Sequence, residues 1–269
     1  MPRGVGALGA LVLTTNGANP MRTIFAGLAA AMLATAAHAG ENVVYQSEGA
    51  DFEGYFAPAS GDSKGLVVVI HDWDGLTDYE ERRADMLSEM GYDAFAVDLY
   101  GQGNRPEAIE DRKAETAKLY EDRETMRRLI LAGMDAAREQ SGGTDAVVMG
   151  YCFGGAAVLE LARSGEGEGV AGYATFHGGL STPEGQSYGE GTAPILIAHG
   201  GADDGIPITE AADLAQRLEE TGVTYELEVY SGAPHGFTVF GSDRYQELAD
   251  TKSWTSFTNF LERNLANGG

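Results

Sequence analysis

The chain contains a single cysteine, Cys152, and its neighbours are of the types that surround a reactive side chain. The cysteine lies in the sequence Gly-Tyr-Cys-Phe-Gly-Gly at 150–155, after an apolar strand-like run and before a helical pattern. A nucleophile at a sharp strand-to-helix turn needs very small residues two positions before and after it, and Gly150 and Gly154 meet that need. We therefore expect Cys152 to be a nucleophile. Its pKa should be lowered by the helix N-terminus, and the Phe153 N–H should be available to an oxyanion.

A lone cysteine also allows two simpler interpretations. Free cysteines are often small buried hydrophobes, and an accessible thiol can act as a redox sensor. A sensor would lack a resolving thiol here, because the chain has no second cysteine. For the same reason an intramolecular disulfide and a Cys-x-x-Cys zinc or redox motif are impossible. We expect neither a metal nor a cofactor.

Two further residues of suitable chemistry follow the cysteine along the chain. Asp203 lies after a strand-like run at 195–198, and His235 follows another at 224–230. Enzymes with a nucleophile at such a turn carry their groups in the order nucleophile, acid, histidine, which is the order found here. The neighbouring Asp204 is an alternative acid. The pattern predicts a Cys-His-Asp triad that catalyses acyl transfer.

Two Gly-x-Ser-x-Gly sequences are weaker candidates for the same kind of turn. Ser63 precedes a strand-like run, and Ser187 lies in a glycine-rich segment at 178–194 that we expect to be a surface loop. Neither serine has a strand before it and a helix after it, as such a turn requires. We interpret both sequences as chance matches.

Strand-like and helical patterns alternate through most of the chain. The predicted strands are 66–70, 94–98, 146–149, 170–176, 195–198 and 224–230, and the predicted helices are 77–90, 106–140, 154–163, 208–220 and 244–265. This alternation predicts an α/β fold with a doubly wound, mostly parallel sheet flanked by helices. Ligands bind at the carboxyl ends of the strands in such sheets, where Cys152, Asp203 and His235 are expected to lie.

The charge balance argues against whole classes of partner. The chain has 18 Lys and Arg against 41 Asp and Glu, and its formal net charge is −23. Such a surface repels nucleic acid and anionic lipid. We therefore expect no nucleic-acid partner and no membrane partner for the mature protein. A monomer that acts on a small-molecule substrate is the expected form.

Residues 1–39 have the pattern of a secretory signal peptide. A basic start at Met21-Arg22 is followed by an apolar run at 24–37 and by an Ala-x-Ala site that ends at Ala39. The run is short for a bilayer span. We expect cleavage after Ala39, a single domain at 40–269, and a periplasmic or secreted protein. The alternative is a buried N-terminal helix.

Together these features resemble the dienelactone hydrolase family over residues 42–265. The resemblance rests on the cysteine turn, on Asp-Leu-Tyr at 98–100, on Asp203 with a proline after it, and on Pro-His-Gly-Phe at 234–237. It implies an α/β-hydrolase fold and hydrolysis of a lactone or a small activated ester. The roles it implies are Cys152 as nucleophile, His235 as base, Asp203 as orienting acid, and the N–H groups of Trp73 and Phe153 as oxyanion donors. A thioesterase, another small-ester carboxylesterase and a non-catalytic binding module with this fold are the alternatives.

Two positions depart from the pattern of the family. Where the family has a glutamate after the third strand, which helps to hold and gate the thiol, this chain has Asp72. Asp72 is either such a functional carboxylate or a cap for the helix near Thr77. Well-studied members have an arginine four positions after the histidine that grips a substrate carboxylate, and this chain has Val239 there. Arg123, and less strongly Lys113, is either solvated or a lid cation that binds substrate.

Other aromatic and imidazole side chains near the strand ends have two possible roles. His71 and His199 are expected to be structural, because each ends a strand. His177 is either structural or a pocket-lining residue. Trp73 is either a pocket wall or a core aromatic residue.

Overall fold

The computed structural model describes residues 40–265, so the expected signal peptide at 1–39 lies outside the described residues. Within residues 40–265 no helix is both long enough and apolar enough to cross a membrane. This part of the chain forms one eight-stranded sheet with helices on both faces.

The sheet is parallel over most of its width. Its strands are β1 (Glu41–Ser47), β2 (Ala50–Ala57), β3 (Leu66–Ile70), β4 (Asp93–Val97), β5 (Ala146–Tyr151), β6 (Val170–Phe176), β7 (Ile195–Gly200) and β8 (Tyr225–Tyr230). The spatial order is β1-β2-β4-β3-β5-β6-β7-β8, and only the β1–β2 and β2–β4 pairs are antiparallel. The predicted doubly wound, mostly parallel α/β sheet is confirmed.

Six helices flank the sheet in the described part of the chain. They are α1 (Asp78–Glu89), α2 (Ile109–Glu121), α3 (Arg123–Ser141), α4 (Phe153–Ser164), α5 (Ile208–Thr221) and α6 (Glu247–Leu265). Apolar residues of α3, α4 and α5 pack on one face of the sheet. Apolar residues of α1 and α6 pack on the other. All five residues of β3 are buried, as expected of a parallel strand covered on both faces.

The first two strands, β1 and β2, are not among the strands predicted from the sequence. They form a hairpin whose two turn residues, Glu48 and Gly49, both have positive φ angles. Such turns favour Asn-Gly or Asp-Gly, and a glutamate at the first position removes that sequence signal. The edge strand β1 is also largely exposed, so no continuous apolar run marks it.

Two predicted helices differ from the observed ones by more than one residue. The helical stretch expected at 106–140 is divided at Asp122, whose carboxylate accepts a hydrogen bond from the Thr125 N–H at 2.9 Å and caps α3. The last helix begins at Glu247 instead of residue 244. At the start of α1 the cap is Thr77 itself, so the alternative role of Asp72 as the cap of that helix is wrong.

Candidate active site

Cys152 lies in the tight turn between β5 and α4. Its backbone angles are φ 50° and ψ −111°, in a region that residues other than glycine rarely occupy. A Cβ atom on Gly150 would clash with the backbone of Gly154, and one on Gly154 would clash with the carbonyls of Ile70 and His71. The flanking glycines are therefore required by close backbone approach, as the sequence pattern predicted.

The fold brings the three residues of the expected triad together. The Nε2 atom of His235 lies 3.1 Å from the Sγ atom of Cys152, and its Nδ1 atom lies 2.8 Å from the Oδ2 atom of Asp203. The other carboxylate oxygen of Asp203 accepts hydrogen bonds from the backbone N–H groups of Gly205 and Ile206. These bonds fix a buried carboxylate behind the imidazole, whereas Asp204 is exposed and makes no such contact. The arrangement can pass a proton from the thiol to the imidazole.

The pKa of Cys152 differs from the expectation. Burial, reinforced by the negative charge of Asp72, raises the pKa of the thiol to about 12. The N–H of Phe153, at the start of α4, acts in the opposite direction but is the weaker effect. The helix N-terminus therefore acts in the expected direction, but the expected net lowering of the pKa of Cys152 is wrong, because desolvation and a neighbouring carboxylate outweigh it.

Asp72 lies beside the thiol at the end of β3. Because Ile70 pairs with Gly150 across β3 and β5, the residues that follow these two strands meet at the same edge of the sheet. Burial is the main cause that raises the pKa of Asp72 well above its ordinary value. Its backbone N–H donates a hydrogen bond to the carboxylate of Glu80. Burial raises the pKa of Glu80 to about 7.

A cavity of about 510 Å³ opens above the sulfur. It is lined by the expected residues Asp72, Trp73, Cys152 and His235 and by His177, Val239, Arg112 and Arg244, among others. Trp73 thus forms a wall of the cavity and is half-buried. Its carbonyl is held by the Tyr100 hydroxyl at 3.1 Å, which fixes the backbone at this point.

The cations of this region differ from those expected. Arg123 is not among the residues that line the cavity, because its guanidinium binds the buried carboxylate of Glu160 at 3.0 Å. Arg112 of α2 lies there instead, 5.5 Å from the centre of the Trp73 ring and 3.5 Å from a carboxylate oxygen of Asp74. No sequence pattern singles out Arg112, since several charged residues surround it on the same helix.

Arg244 is a second cation at the cavity that no sequence pattern predicted. The residue is exposed, and its guanidinium has no hydrogen-bond or ion-pair partner among residues 40–265. Lys113 does not line the cavity, as it is exposed and paired with Glu110 on the same helix.

No three His, Cys, Asp or Glu side chains of the described range lie together in a way that could hold a metal ion.

The other histidines are buried around the site. The Nε2 atom of His71 accepts a hydrogen bond from the Leu99 N–H at 3.1 Å, and its Nδ1 donates to the carbonyl of Asp72 at 2.6 Å. His199 is fully buried at the end of β7. His177 is buried at the end of β6 and also lines the cavity. Through its bonds to the backbone of Leu99 and Asp72, His71 supports the loop that carries Asp72 and Trp73.

The fold and the strand-end arrangement of thiol, imidazole and carboxylate define an α/β-hydrolase. The model of the dienelactone hydrolase family matches residues 52–265, and the chain belongs to that family. A carboxymethylenebutenolidase of Rhodococcus opacus is 27% identical over 221 residues, which are 78% of this chain and 84% of that protein. The expected fold and the expected hydrolase activity are thereby confirmed.

Two solved structures are similar over most of their length. A dienelactone hydrolase-like promiscuous phosphotriesterase from metagenomic libraries has a TM-score of 0.75 and 27% identity, and the match covers 84% of this chain and 98% of that chain. The structure named m3DLH has a TM-score of 0.75 and 28% identity, with 85% and 99% covered.

Proposed function

We propose that the protein hydrolyses a lactone or a small activated ester through a Cys152–His235–Asp203 triad and an acyl-enzyme. The observation that carries this proposal is the continuous line of contacts, 3.1 Å from sulfur to imidazole and 2.8 Å from imidazole to carboxylate. Both distances allow hydrogen bonds, and a thiol is the strongest nucleophile among the groups that line the cavity.

In the first half of the reaction, His235 takes the proton of Cys152 and the sulfur attacks the carbonyl carbon. Asp203 stabilises the imidazolium that forms. The N–H groups of Phe153 and Trp73 hold the oxyanion, and each such donor contributes roughly 3–4 kcal/mol. The carbon–oxygen bond then breaks, and the leaving oxygen takes the proton from His235. The product of this half is a thioester on Cys152.

In the second half, His235 removes a proton from water, and the hydroxide attacks the thioester. The carbon–sulfur bond breaks, the acid is released, and the sulfur recovers its proton from His235. A thiolate leaves more readily than an alkoxide, so the first half limits poor substrates. The mechanism therefore favours enol lactones and aryl esters, whose oxygen is a good leaving group.

In this mechanism Asp72 keeps the thiol protonated until a substrate enters. Its charge is the second cause, after burial, of the raised pKa of Cys152. A resting thiol with a pKa of about 12 carries almost no thiolate at neutral pH. Direct transfer of the proton to His235 in the presence of substrate is therefore the productive route.

The cavity sets limits on the substrate. A volume of about 510 Å³ suits a small molecule, and Arg112 and Arg244 offer positive charge near the opening. In well-studied members an arginine at the position of Val239 grips the substrate carboxylate. In this protein Arg112 and Arg244 take over that role. Asp72, Asp74 and Asp243 line the same cavity and oppose a highly charged anion.

Activity on a panel of lactones, aryl esters and thioesters tests the proposal. Cys152→Ala should lower kcat/KM for every active substrate by at least about 1,000-fold. Ser63→Ala and Ser187→Ala are matched controls, because both serines lie in chance Gly-x-Ser-x-Gly sequences and should leave activity unchanged. Wild-type turnover in Cys152→Ala would exclude the triad. A preference for thioesters would favour a thioesterase, and no turnover by the wild type would favour a binding module.

We also propose that the protein is exported and that the mature form is a monomer. The support is the signal-peptide pattern at 1–39 and the acidic surface. N-terminal sequencing of the protein from the periplasm or medium should give Gly40 as the first residue. A retained Met21 segment would contradict the cleavage, and a dimer mass in light scattering would contradict the monomer.

A further inference from the structure

A buried imidazole lies next to the proposed base. His177 follows β6 directly, and the last residue of β6 pairs with Tyr151, the residue before Cys152. The Cys152 N–H also donates to the carbonyl of Phe176 at 3.0 Å. His177 therefore lies level with the cysteine at the same edge of the sheet. It is on the opposite side of β5 from Asp72, because β6 and β3 flank β5.

The conformation of His177 is strained. Its φ angle is +41°, in the left-handed region that favours glycine and asparagine, and its side chain is 1% exposed. Its ring lies 5.2 Å from the ring of His235, centre to centre, at an interplanar angle of 69°. A buried side chain that is held on a strained backbone indicates that the residue has a functional role in this position.

One nitrogen of His177 anchors it to the loop that carries His235. The Nε2 atom lies 2.8 Å from the Oγ1 atom of Thr238, which is fully buried three residues after His235. The hydroxyl of Tyr79 lies 2.6 Å from the same Oγ1 atom, and Arg83 donates to the Thr238 carbonyl at 2.8 Å. The loop is thus tied to both β6 and α1 immediately after His235.

We propose that His177 is a positioning residue for the base, and that its bond to Thr238 holds the His235 ring in line with the sulfur of Cys152. His177 acts through His235 and touches no reacting atom in this proposal. The inference rests on the proposed function, because it assigns His235 as the base.

The charge state of the neighbours fits this role. The titratable groups around His177 are Tyr79 and Arg83 of α1, Tyr151 of β5, His199 of β7 and His235. Burial, followed by the charges of His235 and Arg83, lowers the pKa of His177 well below its ordinary value. An uncharged ring does not repel the imidazolium that forms on His235 during acylation.

Two substitutions at position 177 separate positioning from backbone strain. Glutamine carries its amide at the reach of Nε2 and can bond Thr238, whereas asparagine reaches only as far as Nδ1. Asparagine tolerates the positive φ angle better. Positioning therefore predicts the higher kcat for His177→Gln, and a purely structural role predicts that His177→Asn is at least as active.

The experiment measures kcat, KM and melting temperature for both variants on an aryl ester. We expect kcat of His177→Asn to fall about 30-fold or more with KM within about twofold, since small misplacements of reacting groups cost up to about 100-fold. We expect His177→Gln to keep kcat within about fivefold of the wild type. Equal kcat values, or a higher kcat for His177→Asn, would overturn the proposal.

Thr238 gives an independent test of the same bond. Thr238→Val keeps the shape and loses the hydroxyl, whereas Thr238→Ser keeps the hydroxyl. We expect Val to lower kcat about 10-fold and Ser to have little effect. Thr255→Val is the matched control, because Thr255 is exposed on α6 and its hydroxyl bonds only its own helix. Equal kcat values in the Val and Ser variants would contradict the proposal.

A second readout needs no substrate. Iodoacetamide alkylates Cys152 only as the thiolate, so its rate at neutral pH reports how well His235 accepts the proton. We expect slower alkylation in His177→Asn than in His177→Gln, and equal rates would overturn the inference. A wild type without esterase activity would remove the proposed function, while the alkylation rates would still decide the role of His177.

Discussion

The Nε2 atom of His235 lies 3.1 Å from the Sγ atom of Cys152, although 83 positions separate the two residues in the chain. The cysteine follows β5 and the histidine follows β8, and the carboxyl ends of these parallel strands lie at the same edge of the sheet. Asp203 follows β7 between them in the chain. The topology alone thus brings a thiol, an imidazole and a carboxylate to one place.

Asp72 should control the reactivity of the resting thiol. Asp72→Asn removes the negative charge that helps to raise the pKa of Cys152, so the pKa should fall and the thiolate fraction at alkaline pH, where Asp72 is ionised, should rise. We expect iodoacetamide to alkylate the variant about 10-fold faster for each unit by which the pKa falls. Asp204→Asn is the control, because Asp204 is exposed. An unchanged alkylation rate would show that the charge of Asp72 does not reach the sulfur.

Arg244 should bind the acidic part of a substrate. Arg244→Gln should raise KM roughly three- to fivefold for an anionic lactone at low salt, since exposed ion pairs contribute up to about 1 kcal/mol. The effect should shrink at high salt because exposed charges are screened. Lys113→Gln serves as control, since Lys113 is paired with Glu110. An equal rise in KM for a neutral aryl ester would contradict a charge effect.

Gly154 should tolerate no side chain. Gly154→Ala places a Cβ against the carbonyls of Ile70 and His71, and the start of α4 cannot move away from the end of β3 without cost. We expect the free energy of unfolding to fall by about 3 kcal/mol or more, together with loss of activity. Gly143→Ala, where a Cβ meets only the Ser141 hydroxyl at an ordinary distance, should be nearly neutral. Urea denaturation compares the two variants, and equal stability would contradict the close packing of the turn.

Glu80 should make stability depend on pH. Its pKa is raised from 4.5 to about 7 in the folded protein, so the native state binds the proton more tightly than the unfolded state. The free energy of unfolding should therefore fall as pH rises from 4.5 through 7, by on the order of 2–3 kcal/mol from this group. Urea denaturation at pH 5 and pH 8 should show a smaller difference in Glu80→Gln than in the wild type. Glu89→Gln is the control, because Glu89 is exposed, and it should keep the wild-type difference. A wild-type difference in Glu80→Gln as well would contradict the assignment of this pH dependence to Glu80.

Much of the fold was predictable because its signals are local. The runs at 66–70 and 170–176 are apolar enough to mark parallel strands, and Gly222 ends α5 in the left-handed conformation. The hairpin of β1 and β2 was missed because its turn begins with Glu48, which gives no turn signal.

The parts of the site that were not predictable depend on packing. The triad of Cys152, Asp203 and His235 was predictable from the order of these residues along the chain. The raised pKa of the thiol was not, because it results from burial and from Asp72. The choice of Arg112 over Arg123 at the cavity depends on which carboxylate binds each guanidinium. Such long-range partners leave no local pattern.

Trapping of the covalent intermediate tests the central claim most directly. The protein is mixed with an aryl ester, quenched in acid during turnover and digested, and the peptides are weighed by mass spectrometry. The proposed reaction predicts an acyl group on the peptide that contains Cys152, with no label when Cys152→Ala is treated in the same way. An acyl group on another residue, or turnover at the wild-type rate by Cys152→Ala, would contradict it.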